Sequence, residues 1–160
     1  MRRDAKGQVA LEFIIIVGLV TLIVVTAYPV LQKQIELNKA LTAARDGAAY
    51  GASFRGMSYY TSGTSPANRN PPGVLKITKV TLIPQGVEEA SGKTMYQIRI
   101  DVRAPNYLSS YENTIEASIR NYARSYVYNA FNGRYQGGFS PVYTNYYKFT
   151  FSANMTSGGG

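Results

Sequence analysis

Gln8 to Leu31 reads QVALEFIIIVGLVTLIVVTAYPVL, and from Phe13 to Gln32 twenty consecutive residues carry no charge. At about 1.5 Å of rise per residue a helix of this run is about 30 Å long, the thickness of a bilayer's hydrocarbon core. The stretch therefore predicts a helix that needs an apolar surrounding. Upstream lies a short charged head, Met1 to Gly7 (MRRDAKG), and Glu12 places a carboxylate at the brink of the apolar run.

The remaining chain is long enough for one domain of ordinary size, the whole being 160 residues. The sequence contains no Cys and no His. No disulfide framework or thiolate nucleophile can form, and the commonest general base and metal ligand is missing. Both absences argue against an enzyme, and no cofactor or metal is expected. The net charge is +8, and removal of the first seven residues takes three basic residues and one acidic residue with it, so the remainder stays basic. Charge of this kind bears on solubility and association rather than on fold. Fourteen Tyr and six Phe, with no Trp, indicate an aromatic-rich head.

Arg2, Arg3 and Lys6 precede the apolar run, so the positive-inside rule predicts a cytoplasmic N-terminus and an external C-terminal part. A secretory signal would have an apolar core of about 7 to 15 residues and a small-x-small cleavage site beyond it. The apolar run here is longer, and the processable break is Lys6-Gly7-Gln8, on its cytoplasmic side. A basic leader ending in Gly7, then Gln8, then Glu12 and a long apolar helix resembles an archaeal type IV pilin precursor with a class III signal peptide. The resemblance covers about Arg2 to Phe54; Ala10 stands where archaeal members often have Ser. It implies cleavage between Gly7 and Gln8 by a prepilin peptidase, so that residues 1–7 are a leader. It further implies a pilus assembly ATPase with its membrane platform as partners, and homo-oligomerisation into a helical filament. Pro29 falls where many type IV pilins have a helix-loosening proline.

Residues 8–55 are predicted to be one helix, since QKQIELNKALTAARDGAAYGASF beyond Pro29 is rich in helix formers. Between Ala40 and Ala52 small residues recur three and four apart, and Gly47 and Gly51 form a literal GxxxG that permits close helix contact. This stripe could serve another subunit or the chain's own head, and both uses are expected on different faces. Residues 56–73 carry the turn chemistry of a linker. The head, residues 74–155, begins with a strand over Val74 to Pro84, whose alternation slips near Lys79, suggesting a bulge. After a loop at Gln85 to Lys93 comes the cleanest strand, Thr94 to Ala104. These two form an antiparallel hairpin. Asn113-Thr-Ile-Glu116 has the form of a capping box, predicting a helix from Thr114 to Phe131 with Ile115, Ile119, Tyr122, Tyr126 and Ala130 on one face, although Ile115, Ala117 and Ile119 also alternate as a strand would. Val142 to Ala153 reads as one aromatic strand with Tyr143, Tyr147, Phe149 and Phe151 on one face, and residues 156–160 as a flexible tail. The fold class is α+β: a long N-terminal hydrophobic helix, then a small β-rich head with an antiparallel sheet and one packed helix.

Glu12 is the sharpest functional candidate, because a carboxylate at membrane depth costs about 2.5 to 3.5 kcal/mol on insertion scales and calls for a partner. Within the pilin resemblance that partner is the α-amino group of Gln8 in a neighbouring subunit, freed by cleavage; otherwise Glu12 is an interfacial side chain at a helix N-terminus. Pro29 removes one backbone donor and loosens the helix, as it also would in a plain membrane span. Asn154-Met-Thr156 is a candidate N-glycosylation sequon. Glu88-Glu89 reads as a solvated loop tip. Arg120, Tyr122, Arg124, Tyr126 and Tyr128 interleave base and aromatic, yet helical spacing favours core tyrosines and solvent-facing arginines over a nucleic-acid surface.

The sequence thus predicts a structural subunit, held in the membrane before assembly and extracellular once polymerised into an adhesive filament. Two other readings use the same residues: a minor pilin-like subunit with a binding head for DNA uptake or secretion, and an uncleaved single-span surface protein.

Overall fold

The computed structural model describes residues 4–57, 71–132 and 141–158. Helix α1 (Asp4–Gly56) is unbroken through Pro29. Strands β1 (Lys76–Val87) and β2 (Thr94–Ala104) follow, then a 3-10 helix (Asn106–Tyr111), helix α2 (Glu112–Asn132), and strands β3 (Val142–Tyr143) and β4 (Tyr147–Ser157). The chain divides into two compact units after Glu36. The architecture is α+β, as the sequence predicts.

In the first unit every residue from Gln8 to Leu31 is exposed. Thr21 and Thr26 donate their hydroxyls to the carbonyls of Val17 and Leu22, at 2.8 and 2.9 Å. The helix thereby satisfies its own polar side chains, as an apolar environment requires.

The second unit has one core. Ala40, Ala44, Ala48 and Ala52, one turn apart along α1, are buried. Ile115, Ile119, Ala123 and Val127 of α2 meet them in the same cluster as Ile98, Ile100, Val102 and Phe149 of the sheet. Strand alternation puts Ile98, Ile100 and Val102 on one face, with Arg99 and Arg103 exposed on the other.

The sheet order is β1-β2-β4-β3. β1 pairs antiparallel with β2, and its register slips between Ile77 and Lys79 and again between Pro84 and Gly86, the first being the bulge the sequence suggests. The Thr78 hydroxyl donates to Asp101 O at 3.0 Å across it. β3 and β4 are also antiparallel, but β4 runs parallel to β2, from Thr94↔Tyr147 to Ala104↔Ser157. The sheet is mixed rather than antiparallel throughout. The reason is the length of α2: its 21 residues span about 30 Å at 1.5 Å each, close to the length of an 11-residue strand. It carries the chain back to the end where β2 began.

Several boundaries differ from the sequence reading. β1 extends to Val87, into the expected loop. The expected single strand from Val142 to Ala153 folds back at Thr144, whose N–H donates to Tyr147 O at 2.9 Å and whose hydroxyl accepts from Tyr147 N–H at 3.1 Å. Tyr143 accordingly pairs with Lys148 and faces away from Tyr147, Phe149 and Phe151. Thr156 and Ser157, expected in the tail, are strand because their pairing with β2 continues without a break. The linker's central residues, 58–70, lie outside the described residues; at its ends Gly73 N–H donates to Gly56 O at 3.0 Å.

Asn113 is not a cap. The 3-10 helix begins after Pro105 and runs directly into α2, where Glu112 N–H donates to Ser109 O. Preceding backbone thus does what a capping side chain would do. Glu116 is released from that role, and its carboxylate accepts from Met155 N–H on β4.

Candidate functional site

Four places in the chain carry the sequence candidates. The first is the start of α1. Gln8 and Glu12 lie one turn apart on the exposed helix, and the Gln8 side-chain amide donates to Glu12 Oε1 at 3.4 Å, a long contact. Pro29 sits inside α1 with exposed neighbours on both sides. Sixteen large apolar side chains between Val9 and Leu31 stand exposed, Phe13 at 66% and Val30 at 67% among them. At about 1.5 to 3 kcal/mol for burying each, the free energy at stake is tens of kcal/mol. That exceeds the whole stability of an ordinary domain, about 5 to 15 kcal/mol. Water is therefore not the resting environment of this helix, and lipid or other protein must cover it.

Residues 6–27 match the family model described as Class III signal peptide. The amino-terminal segment is thus similar to a class III signal peptide. The match takes in Gly7, Gln8 and Glu12 and supports a type IV pilin precursor. A class III signal peptide implies processing by a prepilin peptidase and handling by pilus assembly machinery, and with the apolar helix it fits a membrane-anchored precursor. No curated protein and no solved structure matches the chain.

The second place is the small-residue stripe beyond the matched segment. A Cβ at Gly47 would stand 2.7 Å from Tyr122 O and 2.8 Å from Ala123 Cα, and one at Gly51 would stand 3.0 Å from the Tyr122 ring. These glycines are used within the chain, to seat α1 on α2. Tyr122 and Tyr126 flank the contact instead of filling the core; Tyr50 meets the two rings at 5.2 and 5.9 Å, and Phe54 meets Tyr122 at 5.6 Å. Burial pushes the Tyr122 phenol above its ordinary pKa, and the nearby Tyr50 adds to this. Arg124, expected in solvent, is buried. Of the Arg/Tyr series on α2, Arg124 is buried, Arg120, Tyr122 and Tyr128 are half-buried and Tyr126 is exposed, and Tyr122 and Tyr126 are engaged with Tyr50.

Beside this contact, Arg55, Asn113, Thr114, Ser118, Asn121, Tyr122 and Ser125 line an open groove of about 630 Å³. The Asn121 Oδ1 is buried there with no hydrogen-bond partner. The described lining residues offer hydroxyl, amide and guanidinium groups that can hydrogen-bond to polar groups. Among the described residues no three acidic, His or Cys side chains come together as a metal site.

The third place is the turn joining β1 to β2, which is not a free tip. Glu88 accepts from Lys148 Nζ, from Ser91 Oγ at 2.5 Å and from Tyr143 Oη at 3.4 Å, while Lys93 Nζ donates to Thr144 O. Glu89 alone is exposed as the sequence suggests. The hydrogen bonds from Lys148 and Ser91 hold the Glu88 carboxyl below its ordinary pKa, and the bond to Glu88 holds Lys148 above its own. The stability Glu88 contributes is present above the ordinary carboxylate value and is lost as pH falls through the depressed one. Lys148 contributes below the ordinary lysine value and loses its share as pH rises through the raised one. Thermal midpoints should therefore be flat through neutrality and fall below about pH 4 and above about pH 10. Deprotonation of Tyr122 adds to the alkaline loss, because burial favours its neutral form. Lys148→Met should flatten the acid limb; an unchanged acid limb would show that this network does not link the turn to β4.

The fourth place is the sequon. Asn154 is exposed on β4, opposite Asp101 of β2, and the Thr156 hydroxyl donates to Val102 O at 3.3 Å. The Glu88 network and the groove had no local signal, since both depend on residues far apart in the chain, whereas packing of the glycine stripe on the chain's own head is one of the two uses its spacing predicts.

Proposed function

We propose that this chain is the structural subunit of an archaeal type IV pilus, without catalytic activity. The precursor lies in the membrane with its N-terminus inside. It is trimmed between Gly7 and Gln8 by prepilin peptidase, and an assembly ATPase with its membrane platform delivers it into an extracellular adhesive filament. The observation that carries this reading is the match to a class III signal peptide on a helix whose apolar side chains stand exposed from Val9 to Leu31. Lipid covers the helix in the precursor, and equivalent helices of other subunits cover it in the filament. The exchange costs little because one apolar contact replaces another. The new α-amino group of Gln8, protonated at neutral pH, pairs with Glu12 of a neighbour.

N-terminal sequencing of protein from filaments sheared off native cells is expected to begin at Gln8. Native protein found only in the membrane and still carrying residues 1–7 would mark it as a single-span anchor.

A further inference from the structure

We infer that the outer face of the sheet binds an acidic polysaccharide. One face of the sheet packs into the core. The other is wet, and on β1 and β2 it carries Lys76, Lys79, Arg99 and Arg103, all exposed, against a single carboxylate, Asp101. Arg99 Nε already donates to Asp101 Oδ1 at 2.9 Å. Register places Lys76 opposite Arg103, and Lys79 opposite Asp101. Neighbouring strands are about 4.8 Å apart and alternate residues about 6.6 Å apart, so cations recur at roughly the size of one sugar ring. A polymer with one carboxylate per ring can be met by several of them at once.

The rest of this face sets the class of polyanion. Alongside the cations, β4 turns Thr150, Ser152 and Asn154 to the same side, a row of hydroxyl and amide groups suited to sugar hydroxyls. The outward positions of β1, β2 and β4 include no aromatic residue. Single-stranded nucleic acid is held by a series of aromatic platforms in a basic groove, whereas the outward aromatic among the described strands is Tyr143 on the opposite edge strand β3, its ring already under Lys93 and Lys148. Lysines on β1 also discourage edge-to-edge pairing of sheets. That role needs charge but would be indifferent to a polyanion.

Only the display of this face outside the cell rests on the pilin reading; binding itself is a property of the full chain. The test uses full-length protein in detergent micelles with alginate, a polyuronate, at about 0.1 M salt, where exposed charges more than about 10 Å apart are screened. Wild type is expected to bind alginate, more weakly as salt rises, and to ignore dextran. Lys76→Glu/Lys79→Glu/Arg103→Glu should weaken binding by about tenfold or more with an unchanged circular-dichroism melt. If that variant misfolds, Lys76→Gln/Lys79→Gln should give a smaller loss in the same direction. Equal alginate binding by folded variant and wild type would overturn the proposal, as would oligothymidylate binding as tightly as alginate. Neither result would touch the filament reading, which is decided by the N-terminus of native filament protein.

Discussion

Glu12→Leu is expected to be inserted into the membrane, trimmed after Gly7 and yet absent from filaments. The substitution removes a carboxylate that costs about 2.5 to 3.5 kcal/mol at membrane depth, so insertion should be no worse and could improve. In the filament it leaves the Gln8 α-ammonium of a neighbour without its partner. Removing one member of a buried ion pair costs about 3 to 5 kcal/mol, or more than a hundredfold in association at each contact. A polymer repeats that loss at every subunit. Filament yield should fall below detection while trimmed protein accumulates in membranes, measured by imaging the sheared fraction and by mass spectrometry of the membrane fraction. Filaments at normal yield would show that Glu12 is an interfacial side chain near a helix terminus and that assembly runs on the apolar helix alone.

The second large effect belongs to the head. Gly47→Ala should lower its thermal midpoint by about 5 °C, and Gly47→Leu should prevent α1 and α2 from seating. The added methyl would come within 3 Å of both Tyr122 O and Ala123 Cα, which are backbone atoms that cannot swing aside. Overpacking of this kind costs about 1 to 3 kcal/mol or more, and about 1 kcal/mol of helix propensity is gained in return, so the net change is a loss. Gly18→Ala is the control, since its new methyl meets nothing within 4 Å. It should leave the melt of the head unchanged. Tyrosine near-ultraviolet dichroism reads the contact directly through Tyr50, Tyr122 and Tyr126. A Gly47→Ala melt matching wild type would mean that the two helices do not approach this closely.

The elements that came straight from the sequence are those whose pattern is complete within a few turns. The uncharged run from Phe13 to Gln32, the alternation from Thr94 to Ala104 and the slipped register at Lys79 each depend only on near neighbours. The readings that failed were those in which a local pattern had a distant competitor. Asn113 looked like a cap until the 3-10 helix before it supplied the backbone, and Glu116 then turned to Met155. Glu88 looked solvated because Lys148, sixty residues away, was out of view. Tyr122 and Tyr126 had core spacing, but Gly47 and Gly51 drew that side of α2 against α1 and left Ile119, Ala123 and Val127 for the centre.

By itself the sequence determined that this protein has an apolar N-terminal helix that resembles a class III signal peptide, and an α+β head. Length, charge and hydrophobic period are properties of the unfolded chain and need no partner to be read. Tertiary structure alone decided that β4 runs parallel to β2, that the glycines are spent on the chain's own second helix, and that basic and hydroxyl side chains share one face of the sheet. Each of these is a matter of which distant segments lie side by side, and that choice is made by burying the common core.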